Sequence, residues 1–75
     1  MKLILDIETN GFLDVLDTVH CMVFKDIETQ NVYSYNPNQI NEGLNLLKKA
    51  TLIIGHSVMG FDLPAIEKVF GYKYK

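Results

Sequence analysis

The sequence predicts an α/β fold: a three-stranded antiparallel meander, a helix, a strand parallel to the first, and a second helix. Three observations carry this. Runs of strand formers over 1–9, 18–25 and 32–35 are separated by polar, turn-forming segments, the pattern of consecutive antiparallel strands. An amphipathic stripe at helical spacing follows over 40–49. An apolar run, Thr51 to Gly55, comes straight after it. A strand–helix–strand crossover usually lays the new strand parallel to an earlier one, with a right-handed connection. At 75 residues, all of this belongs to one small domain.

The first strand organises the rest. Apolar Leu3 to Leu5 lead to two carboxylates, Asp6 and Glu8, on either side of Ile7, and Asn10-Gly11 closes the run. Its shortness favours a buried strand over a helix. Asn10 to Asp17 then reads as a connecting loop. In the second strand His20 has apolar neighbours and reads as a packed structural residue, and Cys21 as a small core residue. Asp26 to Asn31 is polar enough to turn, and Val32-Tyr33-Ser34-Tyr35 alternates as a shorter third strand.

Asn36-Pro37 opens the first helix, with Asn as cap and Pro tolerated in the first turn. Ile40, Leu44, Leu46 and Leu47 supply its apolar stripe, Lys48-Lys49 suit its C-terminal dipole, and Gly43 weakens it modestly. The strand after it is placed beside strand one, which brings Gly55-His56-Ser57 to the sheet end bearing Asp6 and Glu8. In the last segment Leu63, Ile66, Val69 and Phe70 recur at helical spacing and Gly71 is a natural stop. Pro64 fits its first turn, which puts Asp62 at the N-cap. Tyr72 to Lys75 has no stop signal of its own and reads as cut off.

Bulk properties exclude several classes. The composition is that of an ordinary globular chain, and at this length only about 60% of the unfolded surface is buried, so stability is marginal. Cys21 is the sole cysteine, which rules out an internal disulfide and fits a reducing compartment. No zinc-type Cys/His spacing occurs. A formal net charge of −2 argues against a purely electrostatic nucleic-acid binder, though not against an enzyme whose metal ions neutralise phosphates. Met1-Lys2 leads into only three apolar residues before Asp6, too few for a signal peptide, and no apolar run spans a bilayer. The expectation is a soluble, cytoplasmic protein with no membrane partner.

Side chains alternate along a strand, so Asp6 and Glu8 point the same way. Two adjacent carboxylates repel unless a divalent cation sits between them. A strand running out into solvent, with the acids marking its edge, accounts for the dipeptide equally, and an N-cap role accounts for Asp62. The topology nonetheless brings all three acids to the carboxyl ends of neighbouring parallel strands, where open α/β sheets bind ligands. The chain has lysines but no arginine near them to compensate. Three carboxylates then call for hard cations, Mg²⁺ or Mn²⁺, and two such ions about 3.5–4 Å apart are a standard device for phosphodiester hydrolysis.

Asp6-Ile7-Glu8-Thr9-Asn10 resembles the first motif, D-x-E, of the DEDD (DnaQ-like) 3′–5′ exonucleases of the ribonuclease H-like superfamily. Gly55-His56-Ser57-Val58-Met59-Gly60-Phe61-Asp62 resembles the second, N-x-x-x-[F/Y]-D. Order and spacing both fit. The likeness is to the N-terminal proofreading domain of phage polymerases of the polymerase-I family, and it covers essentially the whole chain. It implies a partial ribonuclease H-like fold, with 1–75 as the N-terminal part of an exonuclease domain that hydrolyses single-stranded DNA 3′ ends.

The same resemblance implies roles residue by residue. Asp6, Glu8 and Asp62 would be catalytic and hold the pair of Mg²⁺ or Mn²⁺ ions. The backbone around Thr9 and Asn10 would touch the terminal nucleotide, and Phe12 or Leu13 would wedge against the last base. His56 and Ser57 stand at the crevice, where His56 contacts a phosphate, orients a ligand or simply packs. Phe61 packs beneath the site more than it touches substrate. A phage-infected bacterial host is implied too, with the remainder of a DNA polymerase, supplied as a separate chain, as a partner.

Two departures stand out. Ser57 replaces the family's Asn, which alters one polar contact. The third motif, a fourth carboxylate preceded by a Tyr or His base, is absent, since neither Tyr72 nor Tyr74 is followed by Asp. That ligand and base are expected from the rest of a gene product or a second polypeptide. Two other readings stay open. In one, the chain is a non-catalytic module that docks on a polymerase or complementing fragment through a sheet edge beside strand one and an exposed apolar face. In the other, the acids are cap and edge residues only.

Overall fold

The computed structural model describes residues 1–74. In chain order it contains β1 (Lys2–Thr9), β2 (Val19–Asp26), β3 (Val32–Tyr35), α1 (Ile40–Lys49), β4 (Leu52–Ile54) and α2 (Leu63–Phe70). The sheet runs β3-β2-β1-β4, antiparallel between β1 and β2 and between β2 and β3, and parallel between β1 and β4. The α/β class and the parallel strand beside β1 are as expected. The free edge is not: β1 is paired on both sides, and the outer strands are β3 and β4.

Strand alternation puts Leu3, Leu5 and Ile7 of β1 on one face with Met22 and Phe24 of β2, all buried under both helices. Ile40, Leu46 and Leu47 of α1 and Ala65 and Ile66 of α2 complete this core. Phe24 meets the Tyr35 ring edge-on, with centroids 6.0 Å apart and planes at 72°. Gly43 lets α1 lie this close. A Cβ there would come within 2.9 Å of Met22 Sδ and 3.1 Å of the Tyr35 ring, so packing offsets the helix-propensity cost.

The connections are closed by local chemistry. Buried Asp26 accepts from the N–H groups of Glu28 (2.9 Å) and Thr29 (3.3 Å), which makes the β2–β3 reversal an Asx-type turn. Asn36 and Gln39 form a capping box around a 3₁₀ turn, Pro37–Gln39, that leads into α1. Gly71 ends α2 at φ 71°, its N–H donating to Glu67 O at 2.8 Å. The segment after it folds back. Tyr74 Oη donates to Ala50 O at 2.8 Å, and Lys48 Nζ lies 5.3 Å from the Tyr72 ring centroid. Lys75 lies outside the described residues.

Two readings in β2 are corrected. Glu8 pairs with Cys21 but Thr9 with Val19, so His20 is the extra residue of a bulge. The alternation breaks there, and His20 is exposed rather than packed. Cys21 is half-buried rather than in the core, because Glu8, its cross-strand partner, is on the face away from the helices. That face also carries Ile4, Asp6, Val32, Leu52 and Ile54, and all five are exposed. Among the described residues, no helix is long and apolar enough to cross a membrane.

Candidate functional site

β1 outruns its parallel neighbour. β4 pairs only with Lys2, Leu3 and Ile4, whereas β1 continues to Thr9. The last residues of β1 therefore border a space that β4 does not fill. Gly55 turns the chain beside that space, because a Cβ there would lie 2.7 Å from the Leu5 carbonyl oxygen and 3.1 Å from Val58 Cβ. The nearest atom is backbone and cannot swing aside. Gly55→Ala is expected to destabilise the fold by about 1–3 kcal/mol, the range for overpacking, read from its urea midpoint. An unchanged midpoint would show that the β4 exit relaxes freely.

From Val58 to Asp62 the chain makes a π turn that runs directly into α2. Pro64 gives the physical reason. In an unbroken α-helix its ring would clash with the carbonyl of Gly60, four residues back. The wider turn, with the Leu63 N–H donating to Val58 O, accommodates it. Asp62 thus has helical backbone angles (φ −61°, ψ −51°) and makes no capping bond, which overturns its N-cap reading.

Asp62 is instead buried, at 6% exposure. Burial pushes its pKa above the ordinary carboxylate value, and the nearby Asp6 carboxylate pushes it the same way. Backbone N–H groups of Ile7 and of Asp62 itself pull it back in part.

A cleft of about 560 Å³ opens here. β1 contributes Asp6, Ile7 and Thr9, the following loop Gly11 and Phe12, the exit of β4 His56 and Ser57, and the π turn Phe61 and Asp62. Of the three predicted carboxylates, Asp6 and Asp62 meet at this cleft. Glu8 is exposed two residues along β1 and does not line it. Among the described residues, no three His, Cys, Asp or Glu side chains stand close enough to hold an ion together. The paired oxygens of Asp6 and Asp62 suit a hard divalent cation by donor chemistry.

The remaining predicted residues divide. Phe12, 83% exposed, stands in the cleft wall, whereas Leu13 packs against the core. Thr9 Oγ1 donates to Gly11 O at 2.7 Å, within the loop. Asn10 lies outside the cleft lining, and its side chain serves the loop. Its Oδ1 accepts from the N–H groups of Asp17 (3.1 Å) and Thr18 (3.2 Å), and its Nδ2 donates to Asp17 Oδ1 at 2.7 Å. The bonds from Asn10 and Thr18 hold the Asp17 pKa below its ordinary value. His56 and Ser57 are exposed, and Phe61 is half-buried against the core with part of it on the cleft.

Sequence reasoning missed Asp17, Thr18 and Lys68, whose Nζ donates to Leu13 O at 2.8 Å. No periodicity marks such contacts.

No family profile matches the chain. It is similar to the DNA-directed DNA polymerase of Enterobacteria phage T3, 32% identical over 71 residues, and to that of Escherichia phage T7, 32% identical over 68. The matches take in 89% and 85% of this chain but 10% of each polymerase. The chain thus spans about a tenth of the length of these curated relatives, and the similarity relates it to phage DNA polymerases.

Proposed function

We propose that residues 1–75 are the N-terminal part of a proofreading-type 3′–5′ exonuclease domain of a phage DNA polymerase, with a partial ribonuclease H-like fold. The observation that carries this reading is Asp62. A carboxylate that is buried, released from capping and set near a second carboxylate costs the fold stability. Perturbed groups of this kind gather at functional clefts. The similarity to phage polymerases supports the same reading.

On this reading Asp6 and Asp62, with Glu8 beside them on β1, would hold Mg²⁺ or Mn²⁺. A bound metal pair supplies charge neutralisation and an activated water for phosphodiester hydrolysis. The chain's own residues would do the rest. Phe12 offers its ring to the 3′-terminal base of a single strand, because aromatic stacking tolerates any base. His56 and Ser57 offer hydrogen-bond donors to a phosphate, the backbone at Thr9 and Asn10 borders the terminal nucleotide, and Phe61 floors the pocket. The fourth carboxylate and its Tyr or His base would come from another segment of the polymerase, in the same or a separate chain, in the cytoplasm of a phage-infected bacterium.

Calorimetric titration with Mn²⁺ is expected to give saturable binding that Asp6→Ala removes. A 5′-labelled single-stranded oligonucleotide should be shortened from its 3′ end when the chain is joined by the remainder of a phage polymerase, and Asp6→Ala should abolish the ladder. A folded chain that takes up no Mn²⁺ and, even when joined by that remainder, shortens nothing overturns the proposal.

The open sheet face favours a second reading, a non-catalytic module that docks on a polymerase or complementing fragment. Ile4, Leu52 and Ile54 are exposed there at the edge formed by the outer strand β4, and Val32 at the opposite edge, on β3. Association that rises with concentration in sedimentation, without Mn²⁺ binding, would select it. A monomer that binds Mn²⁺ would select the first.

A further inference from the structure

Phe12 combines two properties that rarely coincide. Its ring is 83% exposed, yet the loop beneath it is fastened along its length. At the base, the Asn10 amide bridges to Asp17 and Thr18, and the Asn10 N–H donates to Thr18 O at 3.2 Å. At the crest, the Phe12 carbonyl accepts from the N–H groups of Val15 (3.0 Å) and Leu16 (2.8 Å). Leu16 anchors the descending limb in the core at 1% exposure. From the flank, Lys68 of α2 reaches the Leu13 carbonyl. The backbone entropy of this loop is therefore lost on folding rather than on binding. Ordering a binding surface beforehand lowers the cost of association.

We infer that Asn10 is a positioning residue that, clasped to Asp17, fixes the loop so that the Phe12 ring stands ready at the cleft for the 3′-terminal base of single-stranded DNA. This rests on the exonuclease reading. Asn10 does not touch the base with its side chain, because both its amide oxygen and nitrogen are engaged by the loop. It acts through Phe12.

The sequence contains no tryptophan, so Phe12→Trp gives a single-tryptophan reporter at the site itself. Time-resolved fluorescence anisotropy is expected to show a restrained indole in this parent. Asn10→Ala should free it, and so should Asn10→Asp, which sets two carboxylates against each other. Combining Asn10→Asp with Asp17→Asn exchanges amide and carboxylate across the same clasp and should restrain the indole again. In parallel, affinity for a fluorescein-labelled single-stranded oligothymidylate should fall about tenfold in Phe12→Ala, within the range of base–aromatic stacking. It should fall similarly in Asn10→Ala and recover in the exchanged pair built on the native Phe12.

Asn10→Ala also removes stabilising bonds, so the exchanged pair is the deciding variant. An indole no freer in Asn10→Asp than in the parent, or not restrained again by the exchange, overturns the clasp even where Phe12→Ala weakens binding. Oligonucleotide affinity untouched by Phe12→Ala overturns the base contact at Phe12, and the inference with it, whereas loss of Mn²⁺ uptake and shortening is what overturns the exonuclease reading.

Discussion

Phe24→Ala is expected to lower the unfolding free energy by about 3–5 kcal/mol, the range for emptying a buried aromatic position. Phe24 is 0% exposed, sits mid-strand in β2 between β1 and β3, and also braces Tyr35. Nothing nearby can refill the space without shifting a strand. At roughly 0.05–0.15 kcal/mol per residue, a chain of this size has about 4–11 kcal/mol in total. The variant should therefore lose at least about a quarter of its stability at 25 °C, and all of it at the low end of that range, read from urea denaturation followed by circular dichroism. Phe12→Ala, the same change on an exposed ring, should stay within about 0.5 kcal/mol of the parent. If the two variants lost similar amounts, the core would not be centred on β2.

What could be read from the sequence was what local pattern dictates. Val32 to Tyr35 alternates, and the strand has those limits. Gly71 ends α2 through its own backbone preference, whereas Asn36 with Pro37 opens a 3₁₀ turn and α1 itself begins three residues later than read, at Ile40. The crossover rule placed β4 beside β1 because chirality leaves little choice. The misses share a different cause. His20 looked packed from its apolar neighbours, but the bulge that turns it outward arises from β1–β2 register, which one strand does not encode.

Asp62 looked like a cap because an Asp two residues before a Pro fits that role locally. The residues before it are already helical through the π turn, so no free N–H remains for it to cap. For Asn10 only its backbone beside D-x-E was read, and the partners of its side chain, seven and eight residues away across a loop without period, went unseen. Alternation correctly set Asp6 and Glu8 on one face of β1, but it could not tell which would border the cleft. The π turn decides that, because it brings Asp62 to the Ile7 N–H and beside Asp6, and of the two β1 acids only Asp6 lines the cleft.

Asp62→Asn should move stability and metal affinity in opposite directions. The folded chain holds the Asp62 pKa above its ordinary value of 3.8, chiefly by burial and then by the Asp6 charge. A raised carboxylate pKa means that ionisation costs the folded state more than the unfolded one. The penalty is fully present above the folded pKa, is relieved as pH falls through it, and is gone below 3.8. Asn cannot ionise, and its carbonyl can still accept from the Ile7 N–H. The variant should therefore be the more stable protein at neutral pH, and its advantage should vanish at about pH 3, as paired urea midpoints would record.

Over the same change, Mn²⁺ affinity measured by calorimetry should fall by at least about 10–100-fold, the loss produced even by changing groups behind the direct ligands. An acid held for structural reasons would give the reverse pattern, with lower stability in Asp62→Asn and no effect on metal. A gain in stability coupled to a loss of binding is what a fold shows when it carries a strained group for the sake of a ligand.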